Sequence, residues 1–428
     1  MASLTETSLL SDLLAEPRPS TWATLRQAAE TSLQAQAFPT SREEDWKYTD
    51  LKALRDTSFR PGKLEDANIS EYILPEARGT RLVFVNGHFA PHLSNTSALA
   101  PGVRMLTLAC ASEAAAGLGS LARPETSDPF ANLNHARFTD GAYLFVPKNV
   151  RVEAPLHVLF VSQQKGSDAT YSLPRVHVVL ERGAQAQLVE EYLGQGHYFT
   201  NAVVEVHLHE GATLTHERVQ RESKEAFHIT SLAARVDRNA RYVCRTLSLG
   251  ARLSRQTPKV RMAEEGAELE LNGLALLDQD QVADTHSLID HTVPHCSSRQ
   301  LHKTIVDGQS RGIFNGKIFV HPGAQQTDAQ QQARSLLLSE SARVDAKPEL
   351  EIFADDVKCA HGAAIGQLDP EELFYLQSRG LNLKTARNLL TYGFAAELLA
   401  AIPVPSLRRQ LRRAVMARTN ASDLEALA

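Results

Sequence analysis

Cys359 and His361 stand two residues apart in Asp355-Asp356-Val357-Lys358-Cys359-Ala360-His361-Gly362. In an extended chain of period two, Val357, Cys359 and His361 share one face, while Asp356, Lys358 and Ala360 take the other. A thiol and an imidazole so spaced can reach one soft or borderline metal ion together. They supply two protein ligands, where a structural zinc site takes four and a catalytic one three. No CxxC or HExxH between Arg299 and Gly380 completes the set. The pair is either two ordinary strand residues, since free Cys is often a small buried hydrophobe, or half of a site finished from elsewhere.

Other groups capable of chemistry form weaker patterns. His286, His291, His295, Cys296 and His302 make a His-rich segment whose spacings fit no standard metal motif, and most read as strand and loop residues. Cys244 and Cys110 have no nearby base or cation pattern and read as structural. No GxxxxGK(S/T) loop occurs, so any ATP must be bound by another subunit.

The 428 residues are 43% hydrophobic and 22% charged, ordinary for a globular chain that can bury a core. That length allows two or three domains, or one elongated domain with appendages. A net charge of −5 argues against nucleic acid as the main partner. The four cysteines lie far apart, which suits a reducing compartment and a cytoplasmic location. The N-terminus lacks the basic and apolar regions of a secretory signal. No run of roughly eighteen apolar residues offers a membrane span.

To hold Cys359 and His361 on one face the chain needs strands, and from about Phe130 to Leu368 it supplies them in a repeat. The copies are Val178 to Ala184, Val206-His207-Leu208-His209-Glu210-Gly211-Ala212, a weaker Val236 to Ala240, and Arg261 to Ala267. Their turn residues Gly183, Gly211, Asn239 and Gly266 are 28, 28 and 27 positions apart. Gly and Asn tolerate positive φ at a corner, which accounts for the Gly and its one replacement. Strand, tight corner and strand at a fixed period describe a β-solenoid, favoured over a β-sandwich of short strands. Later corners at Gly308, Gly323 and Ser341 are expected to tighten, being 15 and 18 apart.

The flanks differ from this core. Trp22, Leu25, Ala29 and Leu33 fall at helical spacing, Arg81 to Phe89 reads as a hairpin about Asn86-Gly87, and Ala109 to Ala122 as a poorly packed helix or linker. Ser41 to Leu54 mixes aromatic and charged residues, which suits an exposed docking element, but composition favours a helix end capped by aromatics. After the strands, Asp369 and Pro370 start a helix that Gly380 ends. A second helix is expected from Leu383 to Ala401, broken near Gly393, and a third after Pro405. The expected organisation is a mainly helical region over 1–128, a β-solenoid core over 129–368 and a C-terminal helical region over 369–428. Helices at both ends would cover the solenoid's ends and leave a long side open.

From Arg299 onward the sequence resembles the SufB/SufD family, scaffold subunits of the Suf iron–sulfur cluster assembly machinery. The resemblance rests on Phe314-Asn315-Gly316-Lys317-Ile318, Pro322-Gly323-Ala324-Gln325-Gln326-Thr327-Asp328-Ala329, Lys347-Pro348-Glu349-Leu350-Glu351-Ile352 and Leu373 to Gly380. Lys358 to Ala363 and Glu44-Asp45-Trp46-Lys47-Tyr48-Thr49 are most similar to the SufD branch. The resemblance implies a right-handed parallel β-helix, paired edge to edge with a SufB partner. It implies a SufC-type ATPase docked on the C-terminal helices, in a complex of one SufB, one SufD and two SufC, and a homodimer for the isolated chain. It also turns Cys359 and His361 into half of an iron or nascent iron–sulfur cluster site completed by SufB, with nothing stable bound by the chain alone. Mixed thiolate and imidazole ligation suits iron.

A non-enzymatic assembly scaffold is thus the leading reading. A β-helical carbohydrate-active enzyme using carboxylates such as Asp355 and Asp356, and a structural solenoid with no site, are the alternatives. A composition only 6% aromatic is thin for stacking sugars.

Overall fold

The computed structural model describes residues 21–111 and 117–418. Strands β1 (Phe59–Pro61), β2 (Arg81–Val85), β3 (His88–Phe89), β4 (Arg104–Thr107), β5 (Ala142–Val146), β6 (Leu156–Gln163) and β7 (Ala169–Ser172) come first. The repeat follows as β8 (Arg175–Leu180), β9 (Gln185–Gln195), β10 (Tyr198–Leu208), β11 (Thr213–Arg221), β12 (Phe227–Val236), β13 (Arg241–Ser248) and β14 (Leu253–Met262). It ends with β15 (Glu268–Leu277), β16 (Val282–His291), β17 (Ser297–Val306), β18 (Arg311–Val320), β19 (Asp328–Leu337), β20 (Arg343–Ile352) and β21 (Lys358–Gly366).

From β8 on, each strand pairs in parallel with the strand two places along, so even strands form one sheet and odd strands the other. Each even–odd pair is one coil, and β8 through β21 make seven. This is a parallel β-solenoid. A sandwich of antiparallel sheets is excluded. In-register pairing stacks Val178, Val206 and Ala234 on the inner face of successive coils, within one continuous apolar cluster. No coil could bury that face alone.

Gly183, Gly211, Asn239 and Gly266 take left-handed φ of 67°, 66°, 54° and 73°. His295 and Gln326, at 60° and 57°, continue the row, so its intervals are 28, 28, 27, 29 and 31 residues. The coils lengthen toward the end and do not tighten. Gly308 belongs to a second corner row, where Gln309 N donates to Gln279 O at 2.7 Å. Two interleaved rows created the short spacings.

The sheets also reach back past residue 128. Asn86 and Gly87, at φ 51° and 83°, form the β2–β3 hairpin, and β2 continues the odd sheet beside β6. The region expected as mainly helical therefore adds strands, because Leu82-Val83-Phe84-Val85 is fully buried in register with β6. Its helices among the described residues are α1 (Ala23–Ala35), α2 (Lys52–Asp56) and short 3₁₀ turns. The described part of the Ala109–Ala122 stretch is a pinned loop: Glu205 accepts from the N–H groups of Gly119, Leu121 and Ala122 at 2.8, 3.0 and 3.2 Å. Helix α3 (Pro129–Arg137) is capped by the Asp128 carboxylate.

Asp369 caps α4 (Pro370–Ser378), and Gly380 at φ 92° closes it. Helix α5 (Leu383–Ala400) runs unbroken through Gly393, since Thr391 and Ala395 on either side are both buried. With α6 (Pro405–Arg418) it folds back along the odd sheet, where Leu398, Leu407 and Leu411 pack on Val219, Leu247 and Ile305. The C-terminal helices therefore cover a side of the solenoid, not its end, because the apolar outer face of that sheet requires them.

Two predictions follow from the packing. A Cβ at Gly211 meets only Gly183 backbone at 3.9 Å, so Gly211→Ala should cost only the left-handed strain, about 1–2 kcal/mol. Gly266→Ala should cost more, because its Cβ would run into Asn239 Oδ1. Equal shifts of the two urea midpoints would contradict this stacking of corners.

Glu205 is wholly buried and accepts from Arg175 at 2.7 Å. Burial pushes its pKa up, but Arg175, then His177, His135 and Gly119 N–H, bring it down to about 2. The depressed value means that the stabilisation is present above the ordinary pKa and drains as pH falls from about 4.5 toward 2. Glu205→Gln, which strands Arg175 in the interior, should cost about 3–5 kcal/mol at neutral pH and flatten the acid limb of a stability–pH curve.

Candidate metal and partner site at the open end of the solenoid

β20 ends the even sheet and β21 ends the odd one. Both lie at the same end, and among the described residues neither has a partner on its outer edge. Their 10 and 9 residues present a long row of unpaired backbone groups. Of the eight large apolar side chains left exposed among the described residues, six lie in the stretch from the end of β20 to the start of α5: Ile352, Phe353, Ile365, Phe374, Tyr375 and Leu383. Phe374 is 72% exposed on α4, which buries none of its residues.

Cys359 and His361 lie on β21 itself. The register sets Cys359 beside Ala329 and His361 beside Gln331, so the pair continues the inward-facing rows of the coil before it. Cys359 is half-buried against the end of the main core, whereas His361 is exposed. Burial pushes the Cys359 thiol above its usual pKa, and the Asp328 carboxylate adds to that. The thiol is therefore protonated at neutral pH and becomes a ligand only when a cation displaces its proton.

Beneath His361 the interior is polar. Gln331 Nε2 donates to Gln300 Oε1 at 2.7 Å, and Gln300 Nε2 donates to Ser287 Oγ at 2.8 Å. Gln331 Oε1 is buried with no partner among the described residues. Gly316 makes room for this row: a Cβ there would sit 2.5 Å from Gln331 Nε2. Among the described residues no third His, Cys, Asp or Glu joins Cys359 and His361 in a ligand-sized cluster. Cys359 and His361 thus end the inward-facing row on the last strand of the odd sheet.

The His-rich segment does structural work. His291 is buried, bonds Ser298 Oγ at 2.9 Å and has its pKa lowered by burial to about 4. His302 is buried against the Phe314 ring, at 4.6 Å between centroids. His286 pairs with Asp284 at 3.0 Å, and His295 occupies a corner. Asp355 and Asp356 sit exposed in the turn that leads into β21.

Ser41 to Leu54 is a docking element, and it docks on the chain's own even sheet. Trp46 is buried with the Arg255 guanidinium 3.7 Å over its ring, and Arg255 and Thr49 both bond the buried Asp284. Lys347 on β20 bonds Glu44 at 2.5 Å. Two distant stretches, Glu44 to Thr49 and Lys347 to Ile352, thus meet at the rim of the open end. No spacing in the sequence signals that contact.

The geometry has counterparts in known proteins. The family described as "SUF system FeS cluster assembly, SufBD core domain" matches residues 160–394, and "SufBD protein N-terminal region" matches residues 10–158. An iron–sulfur cluster assembly SufBD family protein of Synechocystis is 40% identical over 92% of this chain and 90% of its own length. Protein ABCI7, chloroplastic, of Arabidopsis thaliana is 33% identical over 91% of this chain and 85% of its own. The iron–sulfur cluster assembly protein SufD of Escherichia coli is 32% identical over 87% of this chain and 88% of its own. Matched along nearly its whole length, the chain is a SufD-like member of the SufB/SufD family of iron–sulfur cluster assembly proteins.

Proposed function

We propose that this chain is the SufD-type subunit of a SufBCD scaffold complex, non-catalytic itself, in a reducing compartment such as the cytoplasm. The observation that carries the reading is the coincidence, at one end of the solenoid, of two open strand edges with Cys359 and His361, in a stretch that leaves Ile352, Phe353 and Ile365 exposed. A SufB-type subunit would extend both sheets across that end, or a second copy of this chain when SufB is absent. It would bring the remaining ligands for iron or a nascent iron–sulfur cluster, the cargo of the assembly. The exposed apolar face of α4 supports docking of a SufC-type ATPase beside it. Since no P-loop occurs in the sequence, ATP hydrolysis falls to that partner. Family membership sets a carbohydrate-active role aside.

The test of the contacts is a map. Glu substitutions at Ile365 and Phe353 should release the SufB-type partner in co-purification, whereas Phe374→Glu with Tyr375→Glu should release the ATPase and keep SufB. Retention of both partners by every one of these variants would refute the interface. Deleting the C-terminal helices is a poor substitute, because it would bare the apolar outer face of the odd sheet.

The test of the ligands is iron per intact complex, purified anaerobically after expression with the whole assembly system. His361→Ala removes one exposed side chain, which rarely decides assembly, so complex yield should hold while iron and sulfide fall severalfold. Cys359→Ser, a harder and poorer ligand, should act the same way. Full loading of both variants would remove the site. Yield and loading falling in parallel would reduce the pair to packing residues.

A further inference from the structure

Among the described residues, one group of three metal-ligating side chains converges within 4.8 Å, and it lies away from the open end. His207 near the end of β10 and His209 just past it alternate with the buried Val206 and Leu208, so both point outward. The pairing of His207 with Arg235 and Leu208 with Val236 sets Asp237 beside His209 on the next coil. His207 Nε2 donates to Asp237 Oδ2 at 3.0 Å, and His209 Nδ1 lies 3.6 Å from the same oxygen. The rings are tilted 35° to one another, with centroids 4.0 Å apart.

We propose that His207, His209 and Asp237 form a binding site for a divalent first-row transition-metal cation of the Zn²⁺ and Fe²⁺ class. Two imidazoles and a carboxylate are borderline donors of the kind these ions take, with the remaining positions left to solvent. Bonds of about 2.0–2.1 Å in a tetrahedral site place ligand atoms about 3.3 Å apart, and 3.0 and 3.6 Å bracket that spacing. The backbone is already fixed: Asp237 N donates to Leu208 O at 3.0 Å, and His209 N to Leu180 O at 3.0 Å. The other Asp237 oxygen is held by Arg235 Nε at 2.7 Å, which turns Oδ2 toward the histidines. Such outer contacts are what orient a metal-binding carboxylate.

The Arg235 charge is partly offset by Glu264, 3.7 Å away. A metal would displace the proton now shared between His207 and Asp237. The side chains of His207 and His209 are 28% and 35% exposed, open enough for an ion to enter from solvent.

The site is distinct from Cys359 and His361. β20 lies four strands beyond β12 in the even sheet, about 19 Å at the usual strand spacing. The test is titration of the untagged, metal-stripped full-length chain with Co²⁺, followed by Zn²⁺ displacement. One Co²⁺ per chain should bind and raise the unfolding temperature, and Zn²⁺ should displace it. His207→Gln, His209→Gln and Asp237→Asn should each weaken binding about tenfold or more. The double variant Cys359→Ser with His361→Ala should bind as wild type. The three separate substitutions keep the test standing if any one misfolds. No binding at millimolar Co²⁺, unchanged binding in the three variants, or loss in the Cys359/His361 variant instead would overturn the proposal.

Discussion

Backbone N–H and C=O groups removed from water must be paired, and in this solenoid each coil satisfies the coil before it. The obligation passes along the axis and has to end. At the N-terminal end it dies out on β3 and β4, antiparallel edges of 2 and 4 residues. Short edge strands are a common way of making an edge unattractive. At the other end it stops on β20 and β21, of 10 and 9 residues, with nothing beyond them among the described residues. The two ends are chemically unlike, and that difference gives the molecule a direction.

The same ladder decides what the open end presents. Every strand inherits the inward and outward rows of its predecessor, so Cys359 and His361 stand where Ala329 and Gln331 stand one coil earlier. Polar side chains share that interior in early and late coils alike: Glu190, His216 and Arg218 near the start, Gln300, His302 and Gln331 near the edge. Cys359 and His361 are the last terms in the row. A half-buried thiol with a raised pKa is a weak ligand by itself. Under the proposed pairing, the arriving ion and the partner's surface supply what lowers it.

Much of this was legible in the sequence. Corner residues recurring at 28, 28 and 27 fixed the coil, because only Gly and Asn take the left-handed turn cheaply. The same arithmetic held more than was read from it: Asp237 lies 28 residues after His209, one full period, which is why the two meet. Later coils were misjudged because their corners fall on His295 and Gln326, residue types that do not announce positive φ. The docking of Trp46 under Arg255 was hidden for a different reason. A contact spanning more than two hundred residues has no period, and composition alone described an aromatic, charged segment without a destination. The cover of the odd sheet by α5 and α6 was likewise invisible, since a helix stripe shows that it will be buried but not where.

That cover has a mechanical consequence. Lys303 on β17 is anchored to α5 through Phe394 O at 2.9 Å and through Glu397. Arg387 of α5 grips Leu338 O, just past β19, at 3.0 Å, and Arg418 of α6 reaches Leu276 O on β15 at 2.8 Å. Polar clasps therefore reinforce an apolar seam across β15, β17 and β19, and β19 is the strand on which β21 lies. A close-packed seam transmits displacement instead of absorbing it. With an ATPase docked on the C-terminal helices as proposed, closure of two such ATPases would load this seam and, through β19, the strand carrying Cys359 and His361. The helices fold along the side of the solenoid instead of capping its end, and that arrangement allows a force applied outside the coil to reach its open edge.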